Sequence, residues 1–228
     1  IRLAHRVVTP SGFLVDVFAG FGVAAREIRN FIDVSRFVWR DRGPLRPVFM
    51  TNRILEPLYN VPCILRAFAR IQKRYPEASL TLAHDGPLRA ALEAEAAALG
   101  LRHTKFLGRV PPDKIPALYD ETEIYLTTPN IDCMPGSLLE CLASGLPIVA
   151  TRAGGIPYIV EDEKTALLVD LDDDAAVAER CFRLLEDPQL APRLAAAGRQ
   201  AVQGYAPERS RDKWAALYRE LLGREPVR

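Results

Sequence analysis

The sequence predicts an α/β fold, a parallel β-sheet with helices on both faces, and three observations carry that prediction. From Pro47 onward, short apolar runs alternate with longer stretches whose apolar residues recur about every 3.6 positions. No run approaches about eighteen consecutive apolar residues, so nothing reads as a membrane-spanning helix. The 228 residues, 49% hydrophobic and 26% charged, suffice for one large domain, or one domain with an appendage.

The elements follow in order. Residues 6–9 read as a short strand, Ser11 as the cap of a helix running to Gly20, and residues 25–28 as a second strand. A polar, arginine-rich linker follows across residues 36–46. Strands are then expected at 47–51, 79–83, 104–107, 123–127, 147–150 and 166–169. Between them, one helical stripe runs through Val61, Leu65, Phe68 and Gln72 with Ile64 and Ile71 beside it, and another through Leu88, Leu92, Glu95 and Leu99. A short helix is expected to start at Ser137. Asp172, Asp173 and Asp174 suit the N-terminus of a helix reaching Glu186, and Pro188 stops it. Two last helices are expected at 190–203 and 211–221, the second with a stripe of Trp214, Leu217, Tyr218 and Leu221.

Charge and cysteine usage narrow the function classes. A formal net charge of +1 argues against a general nucleic-acid binder. Residues 1–53 nevertheless hold nine arginines against four acids, an excess of five, which suits an anionic substrate or membrane headgroups at a peripheral contact. Cys63, Cys133, Cys141 and Cys181 form no Cys-x-x-Cys pair and read as reduced thiols of a cytoplasmic protein. His5, His84 and His103 are too dispersed for a metal site, so no metal is expected.

The most informative stretch runs from Asp132 to Thr151. Gly136 lets the backbone approach a ligand, and the first amides of the helix begun by Ser137 are left unpaired, forming an anion cradle. Asp132 precedes the cradle and Glu140 follows it by one helical turn; two carboxylates so placed suit sugar hydroxyls better than phosphate. Glu140 has a competing reading, because Ser137-x-x-Glu140 is also a capping box. Arg53 follows a buried strand, where open parallel sheets bind ligands, and its fork suits phosphate oxygens. A salt bridge to Glu56 is its competing role.

Asp132 and Glu140, with seven residues between them, stand in order with residues 51–60, Asp85-Gly86-Pro87, residues 106–110 and residues 154–160. Taken together, this segment resembles the donor-binding half of the family 4 glycosyltransferases, retaining enzymes built from two Rossmann domains (the GT-B fold). The resemblance implies a Rossmann-like sheet and the C-terminal half of such an enzyme. Residues 1–32 would be a remnant of the N-terminal Rossmann domain, 33–46 a linker, 47–205 the donor-nucleotide domain, and 206–228 a helix packing back onto the missing domain.

The implied activity is transfer of a hexose from a nucleoside-diphosphate sugar to an acceptor hydroxyl, with no cofactor and no metal. Arg53, Asp132 and Glu140 would be the catalytic set: Arg53 on the diphosphate, Asp132 (where the family usually has Glu) on the donor sugar, Glu140 on the ribose hydroxyls. Gly108, Arg109 and Val110 would lie near the nucleobase, Gly136, Ser137 and Leu138 would cradle the leaving diphosphate, and Gly154 and Gly155 would border the donor sugar. Partners implied are the nucleotide sugar, an acceptor glycan, lipid or small molecule, and the missing N-terminal domain. Four departures, Asp132 in place of Glu among them, support the alternative, a catalytically inactive nucleotide-sugar-binding or scaffold module. Leu58-Tyr59-Asn60 stand where a lysine is common, His84 stands where glycine is frequent, and residues 162–166 replace preferred glycines.

Overall fold

The structure, a computed structural model, describes residues 4–223. Strand β1 (Val7–Thr9), helix α1 (Gly12–Gly20) and strand β2 (Ala25–Glu27) form a small βαβ unit in which the two strands pair in parallel, Val7 opposite Ala25. Ser11 caps α1 as expected, its hydroxyl oxygen accepting from the Leu14 amide at 3.4 Å.

Strands β3 (Val48–Thr51), β4 (Ser79–Leu82), β5 (Thr104–Phe106), β6 (Ile124–Thr127), β7 (Ile148–Thr151) and β8 (Leu167–Val169) make the main sheet. All six stand where the sequence places them, and all pair in parallel in the order β5-β4-β3-β6-β7-β8. The chain winds outward from β3 to one edge, returns to the centre at β6, and winds to the other edge. The loops leaving β3 and β6 therefore part in opposite directions and open a crevice at their carboxyl ends. The fold is a Rossmann-like α/β domain.

Alternation along each strand assigns the two faces. Phe49, Leu80, Leu82, Ile124, Leu126, Val149 and Leu167 pack with α2 (Val61–Arg74), α3 (Arg89–Ala98) and α6 (Asp174–Glu186). Met50, Tyr125, Ile148, Ala150 and Leu168 pack against α4 (Ile115–Glu121) and α5 (Gly136–Ala143) on the other side. The α2 stripe is buried throughout. Its Gln72 is satisfied, donating to the Ala78 and Arg102 carbonyls and accepting from the Arg102 amide.

Some expectations need correction. In α3 the buried residues are Leu92 and Ala96, whereas Leu99 is exposed, because the helix ends at Ala98 and Gly100 at φ +67° turns the chain away. After α7 (Leu190–Val202), the last helix, α8 (Pro207–Leu222), begins four residues earlier than expected, since Pro207 is preset for the first helical turn. Of its stripe only Leu217 is buried; Trp214, Tyr218 and Leu221 lie largely in solvent.

The linker is no loose tether. Arg42 is 1% exposed and donates to the carbonyls of Tyr119 at 2.9 Å, Ser144 at 3.3 Å and Thr122. These carbonyls close α4 and α5, where helices leave acceptors unpaired. Burial, with the Arg40 charge second, lowers the Arg42 pKa to about 10, which leaves the side chain charged at neutral pH. Arg46 pairs with Glu123 at 2.8 Å and Arg36 donates to the Pro112 carbonyl at 3.0 Å. Near the far edge of the sheet, Glu163 adopts φ +60° in the segment where the resembled family prefers glycines. Arg180 and Arg183 hold its carboxylate and Arg193 its carbonyl, which offsets the strain of a left-handed residue. Among the described residues no helix is long and apolar enough to cross a membrane.

Candidate active site

The crevice between β3 and β6 gathers three segments. Asn52 and Arg53 leave the end of β3, the loop after β6 carries Asp132, and α5 carries Ser137 and Glu140. Arg53 reaches Asp132 through Nη2 at 2.5 Å and the Ser137 hydroxyl through Nη1 at 3.4 Å. Its guanidinium also lies 4.3 Å from the centre of the Tyr59 ring. The expected alternative partner, Glu56, is not used. The side chains of Arg53 and Asp132 are 14% and 12% exposed, so the pair is mostly withdrawn from water and relies on good geometry. The Arg53 Nε is buried with no protein acceptor among the described residues.

Helix α5 starts at Gly136, not Ser137, and Pro135 occupies the capping position without any side-chain cap. The capping-box reading of Ser137 and Glu140 therefore fails: Ser137 is already inside the helix and faces Arg53. The expected cradle is smaller too. The Leu138 amide donates to the Pro135 carbonyl at 3.2 Å, whereas those of Gly136 and Ser137 have no protein acceptor among the described residues.

Glu140 points across to α4. Its Oε2 accepts from the Tyr119 hydroxyl at 2.7 Å; that hydroxyl accepts from Asn52 Nδ2 at 2.8 Å, and Asn52 Oδ1 accepts from the Tyr125 hydroxyl at 2.7 Å. Burial above all, with the neighbouring Cys141, Tyr125 and Glu140 adding to it, pushes the Tyr119 phenol well above its ordinary pKa, so it remains a donor. The sequence reading missed Asn52, Tyr119 and Tyr125. Buried tyrosines on an apolar face look like core, and the one available signal was an amide beside Arg53 at a strand end.

Gly154 and Gly155 lie against the Asp132 loop. The Gly155 amide donates to the Asp132 carbonyl at 2.6 Å, and a Cβ on Gly155 would sit 1.9 Å from the Cys133 carbonyl oxygen. The glycine pair thus lets the loop approach closely enough for the short Asp132 side chain to reach Arg53. On the other side of Arg53, Arg109 lines a cleft of about 450 Å³ with Ile54, Glu56, His84, Asp85 and Gly86. Gly108 turns this loop at φ +72°, and Val110 packs on the core beneath it. His84 lines this cleft, its Nδ1 accepting from the Asp85 amide at 2.8 Å. A larger hollow of about 660 Å³, between residues 157–165 and α7, contains none of these groups. Among the described residues no three His, Cys, Asp or Glu side chains converge as metal ligands.

The sequence profile of the family described as "Glycosyl transferases group 1" matches residues 37–201. The chain belongs to this family. A GDP-mannose-dependent alpha-(1-6)-phosphatidylinositol monomannoside mannosyltransferase from Mycolicibacterium smegmatis is 29% identical over 92% of this chain and 59% of its own length. The chain therefore spans less than two thirds of that relative. Among solved structures, Anabaena HepE in complex with UDP-glucose superposes with a TM-score of 0.86 at 21% identity, over 96% of this chain and 65% of that one. The C-terminal domain of a group 1 glycosyl transferase family protein (LpcC) from Francisella tularensis superposes at 0.68 and 19% identity, over 77% of this chain and 99% of that one. The second match agrees with the C-terminal placement read from the motifs.

Proposed function

We propose that this chain is the donor-binding half of a retaining glycosyltransferase that transfers a hexose from a nucleoside-diphosphate sugar to an acceptor hydroxyl. One observation carries the reading: Arg53, Asp132, Ser137 and Glu140, from three separate segments, meet in the crevice where the strand order reverses. Arg53 and the amides of Gly136 and Ser137 meet the diphosphate and stabilise the negative charge that grows on it as the sugar departs. Glu140 accepts ribose hydroxyls, Asp132 accepts from the sugar once released from Arg53, and the Arg109 cleft takes the base. Catalysis is electrostatic and positional, with no cofactor called for by this arrangement.

The acceptor lies opposite, on a second Rossmann domain. The β1–β2 pair supports this, since two strands are too few for a stable sheet and read as the end of a larger one. So do the exposed Phe21, Phe31 and Trp214, which a second domain would cover. On this reading the chain alone binds donor and transfers little.

Titration calorimetry with UDP, GDP and ADP tests the proposal. At least one gives heat, and Arg53→Ala weakens it by about 2–5 kcal/mol, as expected for losing a charged hydrogen-bonding partner in a desolvated site. A folded chain silent toward all three overturns the reading. The inactive-module alternative draws on Tyr59 stacking beneath Arg53 where a second cation is common. Donor binding without turnover in the complete two-domain protein would favour it.

A further inference from the structure

Glu140 is held in an unusual way for a carboxylate facing a crevice. Among the described residues it has no ion pair, and Arg53 is committed to Asp132. Its one side-chain partner is the Tyr119 hydroxyl on Oε2, so Oε1 is left with no protein donor among the described residues. A carboxylate held by one oxygen, with the other free, can offer that free oxygen to a ligand hydroxyl in a fixed direction.

The support behind Glu140 is unusually complete. Tyr119 is fully buried, and its hydroxyl both accepts from Asn52 and donates to Glu140. Asn52 in turn is oriented by the Tyr125 hydroxyl, also fully buried. This order of donors leaves no ambiguity of direction: Tyr125 donates to the amide oxygen, the amide nitrogen donates to Tyr119, and Tyr119 has only its proton left for Glu140. Chains of this kind polarise along their length and fix one geometry. The chain starts at Tyr125, passes through Asn52 next to Arg53 and ends on Glu140, so the group facing phosphate and the group facing ribose share one frame.

Resting on the donor-binding reading, we infer that Tyr119, braced by Asn52 and Tyr125, is the positioning residue that aims Glu140 and so sets the preference for a nucleotide with intact ribose hydroxyls. Tyr119 touches no ligand itself. Its effect passes wholly through the free oxygen of Glu140.

The test compares UDP and GDP with their 2′,3′-dideoxy forms on the wild-type chain and on Tyr119→Phe, Glu140→Gln and the double variant, with thermal melts as a check on folding. For the diphosphate that binds, wild type prefers the ribose form by about tenfold or more, the scale of losing a hydrogen bond to a charged group. In Y119F that preference falls about fivefold while dideoxy affinity is unchanged, because the carboxylate is present but no longer aimed. E140Q abolishes the preference, and Y119F added to E140Q changes nothing further, as expected of two residues acting as one unit. A merely structural Tyr119 would weaken both nucleotide forms equally, and that result overturns the inference. An unchanged preference in Y119F overturns it as well. Should E140Q keep the full preference, the ribose assignment itself falls and takes the inference with it. Should E140Q lose the preference and Y119F keep it, only the positioning role falls. Tyr125→Phe, which leaves the Tyr119 hydroxyl in place, supplies an independent arm if Y119F does not fold: a smaller loss of the same preference is expected, and equal weakening of both nucleotide forms again overturns the role.

Discussion

The two helical layers covering the sheet are built from different materials. On one face α2, α3 and α6 meet the strands through Phe68, Ile64, Leu65, Leu92, Val177 and Leu184, all buried and apolar. On the other face α4 and α5 also contribute leucines, but between them runs polar matter: Arg42 beneath the helix ends, and the Tyr125–Asn52–Tyr119–Glu140 chain beside the crevice. The first layer is held by area removed from water, which has no direction. The second is held by donors and acceptors that work in only one arrangement, and that is the layer whose helices carry the site.

The comparison can be broken from either side. Phe68→Ala removes a fully buried ring from the apolar layer and is expected to cost about 3–5 kcal/mol in urea unfolding, with nucleotide affinity of the folded protein unchanged. Arg42→Met leaves the Thr122 and Ser144 carbonyls, which close α4 and α5, without their side-chain donor. A loss of about 2–4 kcal/mol is expected, and here affinity falls too, because both helices carry site residues. An affinity change in F68A as large as that in R42M would erase the distinction between the layers.

A smaller effect sharpens the role of the loop. Gly155→Ala forces a Cβ against the Cys133 carbonyl, so the Asp132 loop must move; about 1–3 kcal/mol of stability should be lost, and the Arg53–Asp132 contact with it. Nucleoside-diphosphate affinity then rises or holds as Arg53 is freed, whereas affinity for the intact nucleotide sugar falls. Calorimetry with UDP against UDP-glucose reads the difference.

Acid should loosen the rim of the apolar layer. Hydrogen bonding from Arg183 lowers the Glu163 pKa below its ordinary 4.5, and at Asp174 burial opposes but bonds from Arg70 and Arg66 prevail, holding it below 3.8. Between the folded and unfolded values the unfolded chain binds more protons. Stability from these groups is therefore complete above pH 4.5 and is lost as pH falls through their folded values. Thermal melts should be flat from neutrality down to that range and decline below it. The smallest expected effect is at Glu163 itself. Glu163→Ala keeps the left-handed strain and loses the arginine contacts, about 1 kcal/mol, while Glu163→Gly relieves the strain and should lie within about 1 kcal/mol of wild type.

What was legible in the sequence was whatever rests on local periodicity or on a motif confined to one segment. The six strands, the α2 stripe, and the Ser11 and Asp173 caps all belong to that class. Residues a few positions apart on one helix or strand report the same environment, so a single segment suffices to read them. Pairings between segments far apart in the chain were not legible. Arg53 to Asp132 spans 79 residues, Asn52 to Tyr119 spans 67, and Arg42 to Ser144 spans 102. Sequence offered Glu56 and Ser137 as partners because they are near along the chain. The reversal of strand order between β3 and β6 instead brought the end of β3 against α4 and α5, and with them a phenol and a carboxylate that no spacing rule joins. The strands and helices that frame the crevice were thus a property of the sequence, whereas which group holds which, and which oxygen is left free, was decided only when the sheet closed around its centre.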